Sequence, residues 1–309
     1  MNDKNPAQVQ FAPRFPQKPS TPLVLIHDGG GTTFSYFTLG NLHRSVWAIH
    51  NPNFFTAAQW EGGMDAMARH YIGLIYDAGL SGAILLGGWS LGGYLSLAIA
   101  RMLAADDDAR VTVAGLLIID SPLHTPWSRV PTPTAPPDLP GLPDLVVRSL
   151  DNCEGLLTDW ELPAWDEPAH GGRKVRFVAG GRGFAVPPAR VLHKPLQGGW
   201  RPVEAAAFAH GGADADADGP AAAIIPPAVM LRCVDRVPAK DGSPHTCRVD
   251  LPRDDVVLGW AGAYPDFIKA VIDVDSHHYN IFDLARVKQV TAQINDALEI
   301  LETMKPSLV

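Results

Sequence analysis

The stretch Ala83-Ile84-Leu85-Leu86-Gly87-Gly88-Trp89-Ser90-Leu91-Gly92-Gly93 decides how this chain is read. An apolar run of strand type ends in glycines, and a serine sits between Gly88 and Gly92. Apolar residues then follow at helical spacing: Tyr94, Leu95, Leu97, Ala98, Ile99, Met102 and Leu103. The pattern is strand, sharp turn, helix, with G-x-S-x-G at the turn. Such a turn strains the serine backbone and pushes its hydroxyl out at the end of a sheet. Side chains two residues to either side would collide across the turn, which is why glycine is needed there.

Working outward, Leu23-Val24-Leu25-Ile26-His27 reads as a buried strand that ends at Asp28-Gly29-Gly30-Gly31. Bare backbone N–H groups at a strand's carboxyl end lie on the ligand edge of an open α/β sheet. The lysine and spacing of a phosphate loop are missing. Residues 45–50 read as a strand, Gly62 to Ala78 as a helix, and Ala114 to Ile119 as a strand ending at Asp120. This alternation predicts a mostly parallel sheet covered on both faces by helices.

The regularity then stops. Pro131, Pro133, Pro136, Pro137, Pro140 and Pro143 crowd together, a helix is expected near Asp144–Thr158, and His210 to Gly219 is low in complexity. About a hundred residues without α/β alternation are too many for a connection inside a compact sheet, so they are expected to form an inserted lid. Most of the lid's tryptophans (Trp127, Trp160, Trp165, Trp200) are expected to build its own small core. The sheet pattern resumes at Pro227–Cys233. A last strand at Ala270–Val274 and a closing helix at Leu284–Leu301 follow. The expected organisation is a flexible, proline-rich lead-in over 1–22, a core over 23–123 and 226–309, and a lid over 124–225.

Composition narrows the function. With 309 residues, 46% of them hydrophobic, the chain can bury a large core. A formal net charge of −8 with no basic stripe argues against a nucleic-acid partner. No run of eighteen apolar residues offers a membrane span, and the N-terminus has no apolar signal core. Three cysteines, Cys153, Cys233 and Cys247, suggest reduced thiols and a cytoplasmic location. No Cys/His spacing suggests a metal, and no cofactor is expected.

A serine hydroxyl is a poor nucleophile at neutral pH. It needs a base, a group that orients the base, and donors for the oxyanion. Among eleven histidines, His277 and His278 directly follow the last strand. That is where an α/β hydrolase places its histidine, last in the order serine, acid, histidine. His278 is preferred, because Tyr279 and the apolar pair Ile281-Phe282 follow it. Asp120, at the end of the strand after the serine's helix, is the leading acid. Asp235, Asp273 and Asp275 are rivals. The expected oxyanion donors are the backbone N–H groups of Leu91 and Gly29. Leu91 opens a helix whose dipole favours negative charge.

Gly88-Trp89-Ser90-Leu91-Gly92-Gly93, a strand ending in Asp120, a long insertion and His278-Tyr279-Asn280-Ile281 together resemble the type I thioesterases. These α/β hydrolases release products from polyketide synthases and nonribosomal peptide synthetases. Leu258-Gly259-Trp260, followed by a strand, a histidine and an aromatic residue, is similar to the tail of fungal polyketide thioesterases. The resemblance spans residues 22–303. It implies the α/β-hydrolase fold with a lid inserted after the acid's strand, and it supports Asp120 over Asp235. It also implies a free-standing serine thioesterase that acts in trans on an acyl carrier protein or synthase. Ser90 would form an acyl-enzyme, resolved by hydrolysis or cyclisation. The alternative is an esterase or lactonase acting on a free small-molecule ester.

Overall fold

The computed structural model describes residues 4–14, 20–130, 132–165, 169–205 and 225–306. In chain order its strands are β1 (Ala7–Gln10), β2 (Leu23–Ile26), β3 (Val46–Ile49), β4 (Gly82–Trp89), β5 (Val111–Ile119), β6 (Val175–Ala179), β7 (Arg182–Val186), β8 (Arg190–Lys194), β9 (Arg201–Glu204), β10 (Ala228–Cys233), β11 (Ile268–Val274) and β12 (Lys305–Pro306). The helices are α1 (Phe34–Phe37), α2 (Gly63–Asp77), α3 (Leu91–Ala104), α4 (Asp144–Leu157), α5 (Trp260–Ala263) and α6 (Val287–Thr303).

Nine strands form one sheet in the order β1-β3-β2-β4-β5-β10-β11-β8-β9. The two outermost strands run antiparallel to their neighbours, and every other pair is parallel. Strand side chains alternate between faces, so the sheet feeds two cores. Val24 and Ile26 pack with α2 and α3 on one face, while Leu23 and Leu25 join the core that α6 closes on the other. Burial on both faces explains why β2 and the carboxyl-terminal halves of β4 and β5 read as continuous apolar runs rather than alternating ones. The expected helix at Gly62–Ala78 is α2, and the expected closing helix is α6, three residues shorter at its start.

Two expected boundaries need correction. Residues 1–22 are not wholly a lead-in, because Ala7–Gln10 forms edge strand β1 against β3. Residues 124–225 are not one inserted cap. Arg190–Lys194 pairs in parallel with β11 inside the main sheet, and Arg201–Glu204 pairs with it in turn. The β6–β7 hairpin joins β12 in a separate three-stranded sheet. β8 escaped notice because Arg190 and Lys194 flank only three buried residues, too few for a pattern. The low-complexity stretch 210–219 lies outside the described residues. Among the described residues, no helix is long and apolar enough to cross a membrane.

Candidate active site

β4 runs through Trp89 and α3 starts at Leu91, so Ser90 alone makes the turn. Its φ of 55° and ψ of −118° put it in a region that side-chain-bearing residues rarely adopt. Close packing of glycine backbone fixes the turn. A Cβ on Gly88 would sit 2.6 Å from the Ile26 carbonyl oxygen and 2.7 Å from Gly92. A Cβ on Gly92 would run into the same Ile26 oxygen. Hydrogen bonds tie the strained residue down from several sides. Ser90 N–H donates to the Ile119 carbonyl (3.0 Å), and Ser121 Oγ donates to the Ser90 carbonyl (2.7 Å). The Tyr36 hydroxyl bridges β2 and β4, donating to the Ile26 carbonyl (2.7 Å) and accepting from Trp89 N–H (3.0 Å).

The three side chains singled out from the sequence meet at the carboxyl edge of the sheet. His278 Nε2 lies 2.9 Å from Ser90 Oγ, and His278 Nδ1 lies 2.9 Å from Asp120 Oδ2. The order Ser90, His278, Asp120 requires Nδ1 to donate to the carboxylate and leaves Nε2 free to accept from the hydroxyl. Trp89 Nε1 donates to the His278 carbonyl (3.0 Å), tying the histidine loop to the serine turn. His277 stands apart: its ring accepts from Tyr279 N–H (3.2 Å), and its own N–H donates to Asn280 Oδ1 (2.9 Å). Of the rival acids, Asp235 and Asp275 are exposed and Asp273 binds His193 and Arg232.

Asp120 is fully buried and accepts four hydrogen bonds: from His278, from Cys233 N–H (2.8 Å), and from both terminal nitrogens of Arg253 (2.5 and 3.0 Å). Burial alone would raise its pKa. The hydrogen bond from His278 and the charge of Arg253 outweigh that and hold the carboxyl well below the usual carboxylate range. Arg253 is also buried, and its Nε donates to Asp250 Oδ1 (2.9 Å). Nothing in the sequence pattern announces this arginine, because a charged residue in Leu251-Pro252-Arg253-Asp254-Asp255 reads as a solvated turn. Trp260, quoted above for its resemblance, donates its indole N–H to the Ser121 carbonyl (2.8 Å), one step behind Ser90.

Ser90 opens onto a cavity of about 1030 Å³, with Asp28, Gly29 and Tyr279 beside it. Its walls come from residues 122–130 and 132–142, from α4, and from residues 240–259 of the β10–β11 connection. Of the four tryptophans in 124–225, only Trp127 lines it, with the Arg248 guanidinium 3.9 Å from its ring centre. Trp160 packs on His124 and Tyr94, Trp165 lies under Arg101, and Trp200 lies beside Lys194. Gly29 lies in the cavity wall, its carbonyl accepting from Ser149 Oγ (3.0 Å). Leu91 opens α3, and the first N–H groups of a helix have no partner within it. The Asp28 carboxyl, read from the sequence only as part of a turn, is pushed up to about 6 by burial, against the pull of Gly30 N–H and His278. His27 is pushed down to about 4 by burial and bonds the Tyr71 hydroxyl (2.6 Å), away from the cavity.

A mostly parallel sheet with a strained serine between a strand and a helix, and a histidine after the last strand, is the α/β-hydrolase fold. A thioesterase-domain model matches residues 21–169. "Probable thioesterase KK1J" of Curvularia clavata is 45% identical over 99% of this chain and 98% of its own length. "Probable thioesterase lcsE" of Purpureocillium lilacinum is 46% identical over 99% of this chain and 98% of its own length. Among solved structures, the NocB thioesterase domain from the nocardicin cluster superposes with a TM-score of 0.53 at 19% identity, over 92% of this chain and 96% of that one. The chain belongs to the thioesterase family, and so is a hydrolase.

Proposed function

We propose that this thioesterase releases a polyketide or peptide acyl chain of secondary metabolism from a carrier-protein thioester, through an acyl-enzyme on Ser90. One observation carries the reading: the hydrogen-bonded line Ser90–His278–Asp120 at the head of a large, partly apolar cavity. Ser90 Oγ attacks the thioester carbonyl as His278 Nε2 takes its proton, and Asp120 holds the imidazole in the required tautomer and stabilises the imidazolium. Leu91 and Gly29 N–H groups receive the developing oxyanion. Collapse expels the carrier's thiol, which regains the proton from His278, and water or an internal nucleophile then resolves the acyl-enzyme.

The cavity is at the upper end of small-molecule pockets, about 300–1000 Å³, which suits an extended chain better than an acetyl-sized group. Residues 122–130 and 132–142 with α4, and residues 240–259, act as its cover in this reading, so the cover comes from two separate regions of the chain rather than one insertion. A thioesterase needs an acyl thioester, and in this reading an acyl carrier protein or synthase acting in trans presents it.

Intact-protein mass spectrometry after mixing with a panel of acyl thioesters tests the proposal. The expected result is a mass adduct on the wild type and none on Ser90→Ala, with acyl transfer reduced at least ~10³-fold. An unchanged rate in Ser90→Ala would overturn the serine mechanism. Faster turnover of matched oxygen esters than of thioesters would favour the esterase or lactonase reading.

A further inference from the structure

Arg253 has five N–H donors, and each finds an acceptor. Nη1 donates to Asp120 Oδ1 (2.5 Å) and the Cys233 carbonyl (2.9 Å). Nη2 donates to Asp120 Oδ2 (3.0 Å) and the Val249 carbonyl (3.3 Å), and Nε donates to Asp250 Oδ1 (2.9 Å). Asp250 is itself buried and accepts Val237 N–H through Oδ2 (2.6 Å). The result is a closed line of buried charge behind the base: Asp250, Arg253, Asp120, His278, then Ser90. Its members come from the β10–β11 connection, the end of β5, the loop after β11 and the turn after β4.

The charges sum to −1 behind the imidazole, the same as a lone aspartate, but they are arranged differently. Both oxygens of Asp120 are engaged by a guanidinium fork whose planar geometry matches a carboxylate. The fork fixes the plane of the carboxylate, and so the direction in which Oδ2 meets His278. Arg253 touches the carboxylate that His278 touches, whereas Asp250 lies behind Arg253, so a change of charge at Arg253 is felt more strongly at the ring than one at Asp250.

Resting on the reading of Ser90, His278 and Asp120 as the reacting set, we infer that Arg253 is a positioning residue. It locks Asp120 against His278, and its charge, balanced by Asp250, stands directly behind the base that takes the Ser90 proton. A fork on a carboxylate does not by itself mark this role, since Arg232 grips both oxygens of Asp273 in the same way; what marks it is that the carboxylate held by Arg253 continues to His278 and Ser90.

The other titratable groups facing this line are Asp28 from the end of β2, Tyr94 from α3, Cys233 from β10, and His277 and Tyr279 beside His278. Burial raises Tyr94, Cys233 and Tyr279, so they stay neutral between pH 5 and 8. Asp28, pushed up to about 6, and His277, lowered by burial, are left unchanged in every variant below.

The test is the rate at which a fluorophosphonate labels the full chain as a function of pH, which needs no knowledge of the natural acyl group. Ser90 Oγ forms the O–P bond, fluoride leaves, and the serine proton passes to His278. Melting curves accompany each variant to establish folding. Asp250→Asn leaves Arg253 less balanced and should move the acid limb of the profile down by about half a pH unit. The double variant Arg253→Met/Asp250→Asn removes both outer charges and should move it up by about one unit. Arg253→Lys keeps the charge but loses the fork, so the limb should stay within about 0.3 unit while the plateau rate falls about tenfold.

Folded Asp250→Asn and double variants whose limbs coincide with that of the wild type, or an Arg253→Lys variant with the wild-type plateau rate, would overturn the inference and leave Arg253 a structural brace. If the double variant does not fold, the downward shift in Asp250→Asn decides alone. A wild type that the probe does not label, or a Ser90→Ala variant that it labels equally well, would instead overturn the underlying serine reading, and this inference with it.

Discussion

Two buried clusters of the same three residue types lie in this protein, one at the edge of the sheet and one within it. In the first, His278 meets Asp120 at 2.9 Å, and Arg253 clasps the carboxylate with a fork. In the second, His193 on β8 meets Asp273 on β11 at 2.9 Å, and Arg232 on β10 clasps that carboxylate at 2.8 and 3.0 Å. In both, burial would raise the aspartate, and the histidine and arginine outweigh it. The chemistry of the parts is nearly identical, but the surroundings are not. His278 continues to the hydroxyl of a strained serine and an open cavity. Asp273 is held within a strand, with Gln293 of α6 donating to its carbonyl (2.7 Å). A histidine–aspartate–arginine line is therefore not a site in itself. What distinguishes the first line is that it stands at the end of strands, where the turn after β4 brings the Ser90 hydroxyl to it.

The sharpest way to break the comparison is to neutralise each aspartate in turn. Asp120→Asn should lower kcat about 10⁴-fold by favouring the wrong imidazole tautomer. Asp273→Asn should leave kcat within about twofold while costing about 2–4 kcal/mol of stability, since it leaves Arg232, its side chain only 12% exposed, without its carboxylate. Turnover assays and denaturant melts on both variants check this, and equal kinetic losses would erase the distinction drawn here.

A smaller effect is expected from Gly92→Ala. The added methyl must push against the Ile26 carbonyl, costing about 1–3 kcal/mol and moving Ser90 away from His278. Fluorophosphonate labelling should fall far more than the melting temperature does. An alanine variant labelled at the wild-type rate would mean the turn tolerates a side chain after all.

The smallest effect is a pH dependence of stability, and its sign differs between the aspartates. Asp120 and Asp273 are lowered in the folded state, so their contribution is present above the unfolded value of about 4 and is lost as pH falls below it. Asp28 is raised to about 6, so its contribution is present below about 4 and is lost as pH rises through 6. Asp28→Asn should therefore gain melting temperature relative to wild type at pH 8 and lose that gain at pH 4. A difference that stays constant across this range would show that the carboxyl does not titrate as its burial implies.

Much of this architecture is legible in the linear chain because it is local. The turn at Ser90 is signalled by residues within four positions of it, although Ile26, Ile119 and Ser121 hold it in place, and strands such as β2 announce themselves as unbroken apolar runs. The preference for His278 over His277 is different in kind. The neighbours differ by one position in sequence, yet only one ring reaches both Ser90 and Asp120, while its neighbour turns back onto Asn280 and Tyr279. Asp273, a rival acid from the sequence, sits on the right strand but points into the second cluster.

By itself, then, the sequence determined the parallel sheet, the serine turn, and the strand ends at which an acid and a base could stand, because backbone propensity and hydrophobic period act over a few residues. Tertiary structure alone decided that residues 190–204 extend the sheet, that the cavity wall comes from two separate segments, and that Arg253 stands behind Asp120. Each of those facts is a meeting of groups far apart in the chain. A buried charge is stable only where its partners converge on it, and no local pattern records where that convergence falls.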